Sequence, residues 1–251
     1  MTKDSLLRRA RIVARLHHPN LAPMLPLPGG AGLTPVTLGA RRLAEFSTPD
    51  GAFVGLELER VIWLVLDVLG GLRALHELTV DGAGFVHGSI SPQYVLLGEP
   101  GDARLVPITS AHLNAGSARE TSGYAAPEAL SGHTADLRAD LFSVGVLLWE
   151  ALAQQRLFPD GSRDAVVARL AGAEVPALRD LLSVSWALPL CQVAERAISI
   201  DPSARYRCAS DLSSAIVAAV GPRLTSPHRE GPARWFEAPA PVPLPAPTPR
   251  T

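Results

Sequence analysis

The chain of 251 residues is poor in several of the side chains on which chemistry is most often built. Lysine occurs once, at Lys3, so 22 of the 23 basic residues are arginines. That excludes an internal Schiff-base lysine and a GK[ST] phosphate loop, and there is no GxGxxG turn. Cysteine occurs twice, at Cys191 and Cys208, too few for a disulfide framework. Without a CxxC pair or a neighbouring histidine pair, neither outlines a zinc site. Charge of one sign is not in excess either: 23 basic and 24 acidic residues leave a net charge of −1. This gives no pull toward nucleic acid or anionic membrane, and no nucleic-acid partner is expected. Long apolar runs are missing as well. The stretch 141–149 ends at a charge, well short of the roughly 18–20 residues a bilayer span needs. The first twenty residues carry Lys3, Asp4, Arg8, Arg9, Arg11 and Arg15 with no continuous apolar centre. No membrane span and no secretory signal are read, and a cytoplasmic location is expected.

What is present is a core. Apolar side chains make up 47% of the sequence against 19% charged, enough for one large domain or two small ones. The spacing of Leu6, Ala10, Val13 and Leu16 predicts a helix over 5–17, ended by His18-Pro19, with Arg8, Arg11 and Arg15 on a solvated face. From 21 to 55 the pattern is extended and broken by prolines, which predicts two weak strands. Helical periodicity returns over 56–77, with Glu57 and Glu59 in the first turn. Short apolar runs separated by turn residues over 84–109 predict small paired strands, followed by a loop rich in Ser, Thr and Gly. Residues 139–153 are apolar on nearly every side, the mark of a helix through the centre of a core. Further amphipathic helices are predicted over 164–171, 189–199 and 209–220. From Pro222 onward nine of thirty residues are proline, which predicts an extended, polyproline-like, disordered tail.

Several strings, taken in order, resemble the eukaryotic-like Ser/Thr protein kinase family found in bacteria. ARLHHPNLAPML (14–25) is similar to the end of that family's helix αC and the turn after it. HGSISPQYVLL (87–97) stands where the family writes HRDLKPENILL. YAAPEAL (124–130) is similar to the end of its activation segment, with Ala126, Pro127 and Glu128 on the APE motif. ADLFSVGVLLWEAL (139–152) resembles helix αF, and DPSARY (201–206) resembles the DPxxR motif before the last helix. The resemblance implies an α+β, protein-kinase-like fold: a mainly helical C-lobe with a truncated N-lobe of helix αC and about two strands. The implied division is 1–55 for the N-lobe, 56–221 for the C-lobe and 222–251 for the tail. It also implies structural roles. Asp140 would hold the backbone of the catalytic loop beside His87, and Glu128 and Arg205 would form a buried ion pair. Thr121 and Tyr124 would lie in the loop before the APE triplet, and Cys208 would cap the final helix.

The chemistry of the family is not carried over with the scaffold. The resemblance starts at helix αC, so the Gly-rich loop and the phosphate-anchoring lysine have no counterpart, and Lys3 falls in a different element. The αC glutamate aligns with Arg9. In the catalytic loop His87 is kept, but Gly88 replaces the arginine, Ser89 the proton-accepting aspartate, Ser91 the lysine and Tyr94 the magnesium-binding asparagine. The DFG triplet aligns with Pro107, Ile108 and Thr109. A serine hydroxyl is no proton acceptor without its own base, and HGS lacks the GxSxG elbow of a hydrolase. Magnesium prefers carboxylate oxygen, which neither metal position supplies. No catalytic residue, cofactor site or metal site is therefore expected, ATP and magnesium included. Ser110, Ser117, Thr121 and Ser122 read as solvated loop. The implied function is that of a pseudokinase, a regulatory or scaffolding module for a protein partner such as an active kinase or another signalling protein. The alternatives are a Ser/Thr kinase homologue with residual nucleotide binding, an incomplete gene model, and a nonfunctional remnant.

Overall fold

The computed structural model describes residues 12–26, 33–36, 40–48, 53, 57–80, 83–98, 101–107, 122–132, 134–158, 162–171, 175–182, 185–221 and 224. In chain order its elements are strands β1 (Met24–Pro26), β2 (Leu33–Pro35) and β3 (Arg41–Arg42), helix α1 (Leu58–His76), and strands β4 (Thr79–Val80), β5 (Ala83–Gly84), β6 (Val95–Leu97) and β7 (Ala103–Leu105). Helices follow: α2 (Pro127–Leu130), α3 (Leu137–Ala153), α4 (Arg163–Ala171), α5 (Leu178–Leu181), α6 (Leu188–Ala197) and α7 (Ala209–Val220). The strands are short and form three small antiparallel sheets, β1–β2, β3–β6–β7 and β4–β5.

Helix α3 is the centre of the core. Every residue from Ala139 to Leu152 is buried, so the uniformly apolar run of the sequence is matched by packing on all sides. Its start is set by Asp136, whose side chain accepts the Arg138 N–H at 2.8 Å, and its end by Gln154 in the left-handed conformation at φ 54°. Helices α1 and α6 pack against α3, and α7 lies across α1 and α6. The α3–α6 approach depends on a missing side chain. A Cβ on Gly145 would fall 2.6 Å from the Ala197 Cβ, closer than two carbons can come. At the other end of α1, a Cβ on Gly71 would fall 2.4 Å from the Asn20 carbonyl oxygen, so the segment before β1 lies directly on the helix backbone.

The first helix ends sooner than its apolar spacing predicts. Of the described residues of this segment, 12–17, only Ile12 and Val13 are helical. The next turn tightens to i→i+3 bonds, Arg15 N–H to Ile12 O at 3.2 Å and Leu16 N–H to Val13 O at 2.9 Å. The His17 ring then takes the Arg15 carbonyl at 2.9 Å, which occupies an acceptor that a longer helix would need. Residues 5–11 and the proline-rich stretch 225–251 lie outside the described residues. No helix among the described residues is long and apolar enough to cross a membrane.

Candidate functional site

The loop 85–94 runs between β5 and β6, and its frame is built on one carboxylate. Asp140 sits in the first turn of α3 and is fully buried. Its Oδ2 accepts the His87 N–H at 2.8 Å and its Oδ1 accepts the Gly88 N–H at 2.7 Å. The ring of His76, from the last turn of α1, donates Nε2–H to Oδ2 at 2.9 Å. Gly88 is left-handed at φ 68°, the geometry that turns two successive N–H groups onto one acceptor. The start of a helix is also where the backbone dipole favours an anion.

His87 is fully buried, and both of its ring nitrogens are committed to backbone. Nε2–H donates to the Val106 carbonyl at 2.8 Å, and Nδ1 accepts the Ser89 N–H at 3.2 Å. Burial holds its pKa below 6.5, against the pull of Asp140 and the Val106 carbonyl, so the ring is a neutral strut. Neither nitrogen is left to accept a substrate proton.

Ser89 is buried within the loop, and the Ser91 hydroxyl is fully buried with no hydrogen-bond partner. Tyr94 is buried and closes the 3-10 turn Pro92–Tyr94, and its carbonyl accepts the Val106 N–H at 2.8 Å. Pro107 follows in the same strip, buried against the core. The structure thus brings His87, Ser89, Ser91, Tyr94 and Pro107 together around the 87–94 loop and the strand end at Val106. None of these side chains carries a carboxylate, and no group of three or more His, Cys, Asp or Glu residues suited to a metal ion occurs among the described residues. Arg9, Thr121, Ile108 and Thr109 lie outside them. At the rim, Arg42 from β3 donates Nη1–H to the Gln93 carbonyl at 3.0 Å.

The lower half of the molecule holds a second polar cluster. The guanidinium of Arg205, almost fully buried, places all five N–H donors. Two go to Glu128, Nη1 to Oε1 at 2.7 Å and Nη2 to Oε2 at 2.9 Å. Nε bonds Ser199 O at 2.7 Å, and the remaining two reach Arg138 O and Ile200 O, each at 3.1 Å. Its face lies 4.9 Å from the Phe142 ring centroid. Arg205 thereby ties α2 to the start of α3 and to the turn before α7. Cys208 occupies the N-cap of α7 without a side-chain cap bond.

Sequence reasoning named Tyr124 but missed its partners. The Tyr124 hydroxyl donates to Glu150 Oε2 at 2.5 Å, and Arg156 closes on both the hydroxyl and that carboxylate. Glu150 Oε1 accepts the Leu157 N–H at 3.1 Å, while Ser143 Oγ–H holds the Tyr124 carbonyl at 2.7 Å. Burial pushes the Glu150 carboxyl up from its ordinary value, against the bonds from Tyr124, Arg156 and Leu157. Burial and the Glu150 charge push the Tyr124 phenol well above 10. The available signal was Glu150 itself, a carboxylate that follows the uncharged run 141–149 of the same helix.

The comparisons agree with this architecture. A family model described as the protein kinase domain matches residues 41–210. The serine/threonine-protein kinase PknL of Mycobacterium tuberculosis is 32% identical over 123 residues, covering 46% of this chain and 30% of that protein. The tyrosine-protein kinase MasK of Myxococcus xanthus is 28% identical over 225 residues, covering 82% of this chain and 34% of its own length. The chain thus spans about a third of the length of these curated relatives. Among solved structures, the PknI kinase domain of Mycobacterium tuberculosis superposes with a TM-score of 0.62 at 18% identity, over 87% of this chain and 78% of that one. The fold is the protein-kinase fold, with few strands and a mainly helical body. A match over most of the chain, on elements that the structure places in the same order, puts this protein in the protein kinase domain family.

Proposed function

We propose that this domain is a pseudokinase, a kinase-like module that binds a protein partner and transfers no phosphate. The observation that carries the reading is the content of the 87–94 loop. Its backbone is held on Asp140, yet the side chain at 89 is a serine and both nitrogens of His87 are taken by backbone groups. Phosphoryl transfer needs a group to accept or orient the substrate hydroxyl, and a carboxylate to hold the metal that bridges the phosphates. Ser89, Tyr94 and Pro107 provide neither, so the donor set does not fit magnesium. With Ser91 and, at the family's αC position, Arg9, they are the altered positions. His87, Thr121, Glu128, Asp140 and Arg205 are proposed as structural. The partner is an active kinase or another signalling protein, and the surfaces on offer are the helix αC face, the activation segment and the lower helices.

The test is a phosphotransfer assay on the full chain with ATP and magnesium or manganese, beside thermal unfolding with and without ATP, in magnesium and in EDTA. The expected result is no transfer above background and no change in midpoint. A ligand at 100 times its dissociation constant adds about 2.7 kcal/mol, a shift of about 5 °C or more for a domain of this size. Transfer above background overturns the reading. A midpoint shift without transfer supports the alternative, residual nucleotide binding, to which the kinase names of PknL and MasK lend weight.

A further inference from the structure

The turn that carries His18 and Asn20 joins three parts of the molecule. Asn20 Nδ2–H donates to the Ala103 carbonyl at 3.2 Å, and the Asn20 carbonyl accepts the Leu105 N–H at 2.9 Å, both on β7. On the opposite side Asn20 rests on α1, where the side chains are missing. Cβ atoms there would fall 2.9 Å from its Oδ1 at Gly70 and 2.4 Å from its carbonyl oxygen at Gly71. The turn is closed by two bonds, Leu21 N–H to the His18 carbonyl at 3.0 Å and the Asn20 backbone N–H to Nδ1 of the His18 ring at 3.1 Å. The ring itself lies over Gly70, with Cε1 3.7 Å from the position of the missing Cβ.

An imidazole accepts at Nδ1 only while that nitrogen carries no proton. Once Nδ1 is protonated, donor faces donor, and the Asn20 N–H loses its partner in a half-buried place. The charged groups around the ring come from α1, where Arg73 opposes a second cation while Asp67 and Glu77 favour one. On β7, Arg104 is ion-paired with Asp102 at 2.8 Å, and in the segment itself the His17 ring is bonded to Arg15. Burial first, and Arg73 next, keep the ring neutral to lower pH than a free histidine.

We propose that the His18 turn is a proton-operated latch: unprotonated His18 clamps residues 18–22 onto α1 and β7, and protonated His18 lets the turn open. The latch stands apart from the reading of the 87–94 loop, because none of its groups belongs to that loop.

Amide hydrogen exchange of the full chain, from about pH 7.5 to about pH 5 and corrected for intrinsic rates, tests it. The Asn20 amide is expected to lose about tenfold in protection as His18 protonates, the worth of one hydrogen bond. The Ala103 amide, which donates to Asp67 at 3.0 Å, should keep its protection. The 15N shift of the His18 ring should follow the same midpoint. In His18→Gln the side-chain oxygen remains an acceptor at every pH, so the Asn20 amide should hold its protection across the range. A wild-type Asn20 amide insensitive to pH overturns the proposal, and so does an equal loss at Ala103, which would mark general loosening. The same pH dependence in His18→Gln also overturns it, since a group other than His18 would then be titrating.

Discussion

Two buried polar regions of this molecule have met different ends. Around Arg205 each donor has a carboxylate or carbonyl, and the two charges meet in a bidentate pair. In the 87–94 loop the backbone is held with equal care, yet the Ser91 hydroxyl is buried with nothing to bond and the remaining side chains offer no charge. On the pseudokinase reading proposed above, the groups that hold the chain have been kept and those that would act on a substrate replaced. Frame and chemistry are thus separable here, because the frame is carried by Asp140 and by backbone N–H groups, which do not depend on the identity of residue 89, 91 or 94.

The contrast can be broken most severely at the lower region. Arg205→Ala leaves Glu128 uncompensated and three carbonyls unpaired, and is expected to cost about 3–5 kcal/mol in denaturant unfolding. A loss below about 1 kcal/mol would mean that water replaces the guanidinium and that the region is looser than it looks. Asp140→Asn comes next. The amide keeps the shape but turns an NH2 toward one of three donors, so a loss of about 1–3 kcal/mol is expected from the same measurement.

Glu150→Gln probes the other carboxylate of α3 through pH. The folded-state pKa of Glu150 is raised above the unfolded value near 4.5, so its stabilising contribution is complete below that pH and is lost as pH rises through the raised value. The variant lacks this component, so its stability relative to wild type should increase as pH rises across that window. A difference independent of pH would show that the carboxylate titrates alike in the folded and unfolded chain. The smallest effect is expected at the upper loop. Ser91→Ala removes a buried hydroxyl without a partner and should lie within about 1 kcal/mol of wild type, on the stabilising side. A larger loss would reveal a bond at Ser91 that the upper region was thought to lack.

Much of the helical body was legible from periodicity. The helix predicted over 56–77 forms over 58–76, the one over 139–153 gains two residues at its start, and the last matches at 209–220. These elements bury one face or all faces, so their apolar spacing carries the information. What was not legible depended on partners distant in sequence. Strand β3 is two arginines, Arg41 and Arg42, with no alternation to read, and it exists because it pairs with Leu96 and Leu97. His76 gave no signal of its own, since its role follows from reaching Asp140 from the end of another helix. The bonding of Tyr124 to Glu150 and Arg156 was hidden for the same reason. The site positions, by contrast, came from short strings whose order mattered more than any local property; the structure gathers His87, Ser89, Ser91, Tyr94 and Pro107 around one loop held by Asp140, and sets Glu128 and Arg205 together in the lower cluster.

The close crossing at Gly145 has a mechanical consequence. The Ala197 methyl of α6 sits in the gap that Gly145 leaves on α3, with Leu141 and Trp149 one turn to either side. Sliding either helix along the other would drive that methyl into a full side chain, as a key jams in its slot. Sliding of the two helices past each other is therefore opposed at this crossing.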